Sequence, residues 1–206
     1  MNKFLLFFIS MAFVLCSEND FLLNFMNEDN NWMYLDEDHD ISIYILENDS
    51  LPIIKLEKYS DSFENIFEII LNVSNYNNIL SDRNIYSQYL HEDSDTVYAY
   101  QKVKNLIPFT RDRHIIFKIF MVNENRLDWK LINKNNKLYD RFKNRRNKEL
   151  YYGAGSWQLS KEDGLVKLVH YFFIDPEVNK VPEIFVNSAR KKSVIQVFKD
   201  VLNALK

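Results

Sequence analysis

The chain has few of the residues that usually punctuate a fold. Its 206 residues include three glycines, four prolines and one cysteine. With Cys16 alone, no intramolecular disulfide can form. The three glycines, Gly153, Gly155 and Gly164, provide neither a P-loop nor a dinucleotide fingerprint. Most tight turns therefore fall to Asn and Asp, which tolerate left-handed backbone. There are no repeats, and no Pro/Gly/Ser-rich linker divides the chain. The net charge of -3 argues against a nucleic-acid binder that relies on a strong positive field. The histidines, His39, His91, His114 and His170, are far apart and lack metal-ligand spacing. His91-Glu92-Asp93-Ser94 lacks the second histidine of a zinc helix, and Gly153-Ala154-Gly155-Ser156-Trp157 is not a nucleophile elbow.

Long apolar runs are also scarce. Phe4–Leu15 carries no charge but is too short for the roughly 20 residues that cross about 30 Å of bilayer. Met1-Asn2-Lys3, this run and the polar Ser17-Glu18-Asn19-Asp20 together read as a secretory signal peptide over residues 1–16. The alternative is a buried N-terminal helix. Cys16 stands where a lipoprotein signal carries its acylated cysteine, although Leu15 is bulky for that site. Cleavage after Cys16 or Ser17 fits as well. The expected destination is export: periplasmic, anchored as a lipoprotein, or secreted. Asn48-Asp49-Ser50 and Asn72-Val73-Ser74 match the glycosylation pattern and matter only on a eukaryotic secretory route.

What the chain does have is aromatic bulk. It is 47% hydrophobic and 15% aromatic, with 16 Phe and 12 Tyr. This supplies either a thick core or a lined cavity. Residues 17–30 read as a short amphipathic helix and linker, with Phe21, Leu22, Phe25 and Met26 at helical spacing. Strands are predicted at Trp32–Asp36, Ile41–Glu47, Pro52–Tyr59, Asn84–Leu90, Val97–Leu106, His114–Val122, Leu127–Asn133, Gly155–Ser160 and Leu165–Ile174. Ser60-Asp61-Ser62 offers N-caps for a helix carrying Phe63, Ile66, Phe67, Ile70 and Leu71. Pro182 suits the first turn of a final helix, on which Ile184, Phe185, Ala189, Val194, Ile195, Phe198, Val201, Leu202 and Leu205 form an apolar stripe. Arg190-Lys191-Lys192 falls mostly off that stripe.

Ile115, Phe117, Ile119 and Met121 lie on one side of a strand, with Ile116 and Phe120 on the other. A sheet apolar on both faces needs cover on both, or one face lining a cavity or interface.

The order of the motifs is informative. Val97–Lys104, Pro108-Phe109-Thr110-Arg111-Asp112, Gly155-Ser156-Trp157-Gln158-Leu159, Asp175-Pro176 and Val181-Pro182 precede the final helix, which carries Asn187. This order resembles the START-like branch of the helix-grip (SRPBCC) superfamily over residues 31–206. It departs from the family after Asp175-Pro176, where Glu177 replaces a common glycine.

The resemblance implies an α+β helix-grip fold: a curved antiparallel sheet wrapped around a long C-terminal helix, with an internal apolar cavity. It implies a monomer that binds, and in transfer proteins moves, a lipid or other hydrophobic small molecule, with no cofactor, no metal and no nucleic acid. The residues expected at the ligand are Phe109, Arg111, Asp112, Trp129, Trp157, Tyr171, Phe173, Phe185 and Ala189. For the four strand aromatics among them, core and pocket wall both remain open, because both parities are partly apolar.

Two rival readings stand beside this. One is a cyclase- or hydratase-type enzyme using Asp112 and His170. The other is a filled fold used for protein interaction. The basic segment Lys134–Lys148, with Leu138, Tyr139 and Phe142 interleaved, is either a solvated hairpin extension or a transient contact for anionic lipid head groups.

Overall fold

A computed structural model describes residues 18–28, 31–46, 52–104, 110–142, 146–177 and 183–205. The signal-like residues 1–16 lie outside them. The strands are β1 (Met33–Glu37), β2 (Ser42–Leu46), β3 (Ile53–Ser60), β4 (Ile85–Asp93), β5 (Thr96–Val103), β6 (Arg113–Asn123), β7 (Arg126–Leu131), β8 (Lys148–Glu149), β9 (Gly153–Glu162) and β10 (Leu165–Ile174). The helices are α1 (Glu18–Met26), α2 (Ile66–Leu71), α3 (Tyr76–Ile79) and α4 (Glu183–Asn203).

One sheet runs β1-β2-β3-β10-β9-β7-β6-β5-β4, antiparallel at every step. Only the short β8 pairs parallel, against the start of β6. Strand alternation then sorts the side chains. Ile115, Phe117 and Ile119 of β6 face the main core with Ile54, Leu56, Leu168 and the α4 residues Val194, Ile195, Phe198 and Val201. Fully burying one such side chain is worth about 1.5–3 kcal/mol, so this seam between sheet and α4 dominates the fold's stability.

The outer face is apolar too, and two pieces of chain cover it. Leu22, Leu23 and Met26 of α1 pack on Ile53, Ala154 and Phe173. Asn19 anchors that helix. Its Nδ2 donates to the Leu131 carbonyl at 2.9 Å and the Tyr151 carbonyl at 3.0 Å, and its Oδ1 accepts from the Gly153 amide at 2.9 Å.

The second cover comes from the basic segment, where the structure differs from a solvated hairpin extension. Tyr139 is buried, and its hydroxyl donates to the Leu150 carbonyl at 2.9 Å. Phe142 stacks on Tyr100 with 4.1 Å between centroids. The interleaved aromatics hold the segment against Tyr100 and Ile116, while Lys134, Lys137, Arg141 and Arg146 stay exposed.

Scarce glycine leaves its mark on the turns. His39, Asp40, Asn65, Ser94, Asp163 and Glu177 all adopt positive φ. Glu177 (φ 48°) takes a left-handed conformation that glycine adopts more readily. Its amide donates to Asp175 Oδ1 at 2.7 Å, and its carboxylate pairs with Lys148 at 2.5 Å. Before α2 the predicted cap is displaced. Ser62 Oγ accepts from the Glu64 amide at 3.1 Å, and the helix itself begins at Ile66, after a turn that buries Phe63.

Candidate functional site

Between the inner sheet face and the helices lies a cavity of about 150 Å³. The sheet contributes Ile115, Phe117 and Ile119 from β6, Trp129 from β7, Trp157 from β9, and His170, Phe172 and Ile174 from β10. Val194, Val197 and Val201 of α4 face them, with Ile69, Ile70, Tyr76 and Ile79 closing the α2–α3 side. The wall is thus mainly branched aliphatic and aromatic, the chemistry of a site for a hydrophobic molecule.

The volume sets a limit. An engineered apolar cavity of about 150 Å³ takes up benzene. Pockets for drug-sized ligands run about 300–1,000 Å³. At this size the cavity holds a small apolar body or one end of a longer chain.

One glycine, Gly155, makes the tryptophan wall possible. At Gly155 a Cβ would meet the Tyr171 carbonyl oxygen on one side and the Trp129 indole, 2.5 and 2.6 Å away, on the other. Only a residue without a side chain lets the indole lie flat on β9. Trp129 then meets Phe117 edge-on at 6.4 Å and Phe172 at 5.5 Å.

The polar groups at the cavity differ in how well they are partnered. His170 is buried, with Nδ1 3.1 Å from the Ser156 carbonyl oxygen. Burial pushes its pKa down to about 3, so the ring is neutral at pH 7 and Nδ1 carries the hydrogen. Gln101 donates to Ser87 Oγ at 3.1 Å, and the Tyr76 hydroxyl donates to the Ile70 carbonyl. Burial raises the Tyr76 phenol, keeping it protonated.

Arg113 is 4% exposed. Its Nη1 donates to Thr110 Oγ1 and the Arg111 carbonyl, and Nη2 reaches the Pro176 carbonyl at 3.5 Å. Arg190 is 3% exposed, and its three guanidinium nitrogens have no hydrogen-bond partner among the described residues. Burial pushes its pKa down to about 10, opposed by the charge of Asp175. Among the described residues lining the cavity there is no Asp or Glu.

Of the residues expected at the ligand, Trp129 and Trp157 line this cavity. Tyr171 and Phe173 have the opposite parity on β10 and pack on the outer face, in the cluster under α1. Arg111 is exposed, Asp112 pairs with Lys102 at 3.1 Å, and Ala189 is half-buried; none of these is in the cavity wall. Phe109 and the side chain of Phe185 lie outside the described residues. Asp112 and His170, the examples named for the enzyme reading, are not brought together at the cavity: His170 lines it and Asp112 does not.

Sequence reasoning missed Arg113 and Arg190, though both carried a signal. Arg113 shares the parity of Ile115, Phe117 and Ile119. Arg190 continues the four-residue spacing of Val186, Val194 and Phe198, so it is in phase with the buried row.

A large antiparallel sheet packed on a long C-terminal helix, with an apolar cavity between them, is the helix-grip arrangement. Solved structures agree. A STAR-related lipid transfer protein from Xanthomonas axonopodis superposes with a TM-score of 0.68 at 11% identity, over 85% of this chain and 99% of that one. Human STARD10 gives 0.65 at 13% identity, over 90% and 80%. Human StAR-related lipid transfer protein 5 gives 0.65 at 12% identity, over 95% and 97%. The chain has a START-like helix-grip fold. No protein-family model matches the sequence, and no curated protein matches it.

Proposed function

We propose that the chain binds a lipid or other hydrophobic molecule in the cavity between its sheet and α4, and carries it between surfaces. The supporting observation is the cavity wall itself: aromatic and branched aliphatic side chains from six strands and three helices converge on one internal space. Burying ligand area there contributes about 25 cal/mol per Å². The START-like fold of proteins named for lipid transfer agrees with this reading.

A whole lipid exceeds the present volume, so loading requires α4 or the α2–α3 side to move outward. The exposed Lys134, Lys137, Arg141 and Arg146 form a basic strip suited to anionic head groups during exchange. Residues 1–16 direct export in this account, with Cys16 as the candidate lipidation point.

Native mass spectrometry of the full chain, followed by organic extraction of whatever co-purifies, tests both parts. A stoichiometric apolar molecule is expected, together with a mass lacking residues 1–15 and carrying acyl chains on Cys16, or lacking residues 1–16 where cleavage follows the cysteine. An apo mass that stays unchanged after incubation with a broad lipid extract contradicts the binding role. An intact N-terminus after secretory expression contradicts export.

A further inference from the structure

An apolar container does not explain the placement of Arg190. The residue is 3% exposed, and Nε, Nη1 and Nη2 are all buried without a hydrogen-bond partner among the described residues. Its guanidinium carbon lies 5.3 Å from the centroid of the Phe173 ring. Asp175 acts on it only through space, because no ion pair to Arg190 forms among the described residues. A guanidinium offers five N–H donors in a rigid planar fork. Burying that fork unpaired is costly, and a protein tolerates it where a further group completes it.

The surroundings define that group. Arg190 and Arg113 both line the cavity, and no carboxylate among the described lining residues balances them. Arg113 has its two Nη groups engaged by Thr110, Arg111 and Pro176, while its Nε has no partner among the described residues. The rest of the wall, with Trp129, Trp157 and Phe172, is hydrocarbon and aromatic ring. Two buried cations in an apolar space are complementary to a single anionic head on an apolar body.

We infer that the cavity takes an amphiphile whose head is one oxyanion, a carboxylate or a phosphate ester, bound by the fork of Arg190 and supported by Arg113, with its apolar part against Trp129, Trp157 and Phe172. The inference rests on the reading of the cavity as a ligand site. It adds head-group selectivity, which a purely apolar container lacks. Arginine suits this role because its parallel N–H groups bind both oxygens of a carboxylate or phosphate at once.

The test titrates the full chain at pH 7 with octanoate, octyl phosphate, octanol and inorganic phosphate, followed by calorimetry and by emission of the cavity tryptophans. Charge-assisted hydrogen bonds predict that the tighter of the two anionic amphiphiles binds roughly tenfold or more above octanol. Whichever it is identifies the head group. In Arg190→Met that preference falls to the octanol level while octanol binding persists. Arg190→Lys keeps the charge, loses the fork and falls between the two.

Equal binding of octanol and both anions overturns the head-group site and leaves the container intact. Binding of none of the four probes overturns both. Inorganic phosphate binding as tightly as octyl phosphate assigns a free-anion site and overturns the amphiphile. The wild-type comparison needs no variant. Arg190→Met is also expected to melt above the wild type, because an unpaired buried charge is removed; a lower melting temperature means that the guanidinium serves a structural contact and counts against the inference.

Discussion

Trp157 and His170 are cross-strand partners on β9 and β10, and their rings stack with 3.8 Å between centroids, 18° from parallel. Phe198 of α4 continues the column, 5.4 Å from Trp157 and within 3° of parallel. The stack ties the curve of the sheet to the gripping helix at the cavity wall. It also buries an imidazole whose charged form has no counter-ion in contact among the described residues, which makes the fold sensitive to acid.

The sign of that sensitivity follows from the His170 pKa of about 3 in the folded chain and the ordinary value near 6.5 in the unfolded one. The folded value is the lower, so protons bind the unfolded chain preferentially. Stability is fully present above about pH 6.5 and falls as pH drops toward 3, by about 1.4 kcal/mol per pH unit. Burial lowers His114 as well, partly offset by Glu149 at 3.6 Å, so it adds with the same sign. Urea midpoints at pH 7 and pH 5 should show His170→Gln losing about 2 kcal/mol less than the wild type over that interval. Equal losses would mean that His170 is not held neutral by burial.

Gly155→Ala is expected to cost about 1–3 kcal/mol, as overpacking does. The added methyl group meets the Tyr171 backbone carbonyl and the Trp129 indole, and the indole is the part that can yield. Thermal melting and tryptophan emission should therefore shift together. A variant with unchanged melting and emission would show that Trp129 is not held against β9.

Asn19 fastens α1 to the ends of β7 and β9 through three hydrogen bonds to backbone groups. Asn19→Ala leaves those buried groups unmade and should destabilise the protein by about 2–3 kcal/mol. Hydrogen exchange at the Gly153 amide should accelerate in the variant. Wild-type protection of that amide would place the anchoring of α1 elsewhere, in the apolar contacts of Leu22, Leu23 and Met26.

Most of the fold was legible because period-2 and period-3.6 patterns are local. Alternation around Ile115–Met121 and the apolar row of α4 were enough to mark β6 and the gripping helix. The two-residue β8 was not legible, since Lys148-Glu149 carries no apolar alternation and pairs only because Leu150 and Tyr139 draw the segment onto the sheet.

The site was read less well. The P-F-x-x-R-D turn drew attention to Arg111 and Asp112, yet β6 starts at Arg113, and it is Arg113 whose parity points inward. In Arg190-Lys191-Lys192 the three charges looked alike in sequence. The structure separates them by helical phase: Lys191 pairs with Asp36 at 2.9 Å, Lys192 is exposed, and Arg190 is buried. For Tyr171 and Phe173 the parity was undetermined because β10 is apolar on both faces, and only the position of α1 decides it.

The most direct measurement of cavity binding is a methyl-resolved NMR titration with butylbenzene, on the wild type and on Val197→Phe. Val197 is half-buried on α4 and lines the cavity, so a phenyl ring there fills the space. Saturable shifts are predicted at Ile115, Ile119, Val194 and Val201 in the wild type, without shifts at Leu22 or Leu23 under α1. In Val197→Phe the affinity should fall at least about tenfold, with the spectrum otherwise retained. Shifts confined to the outer-face residues, or a cavity response equal in both proteins, would contradict a ligand site between the sheet and α4.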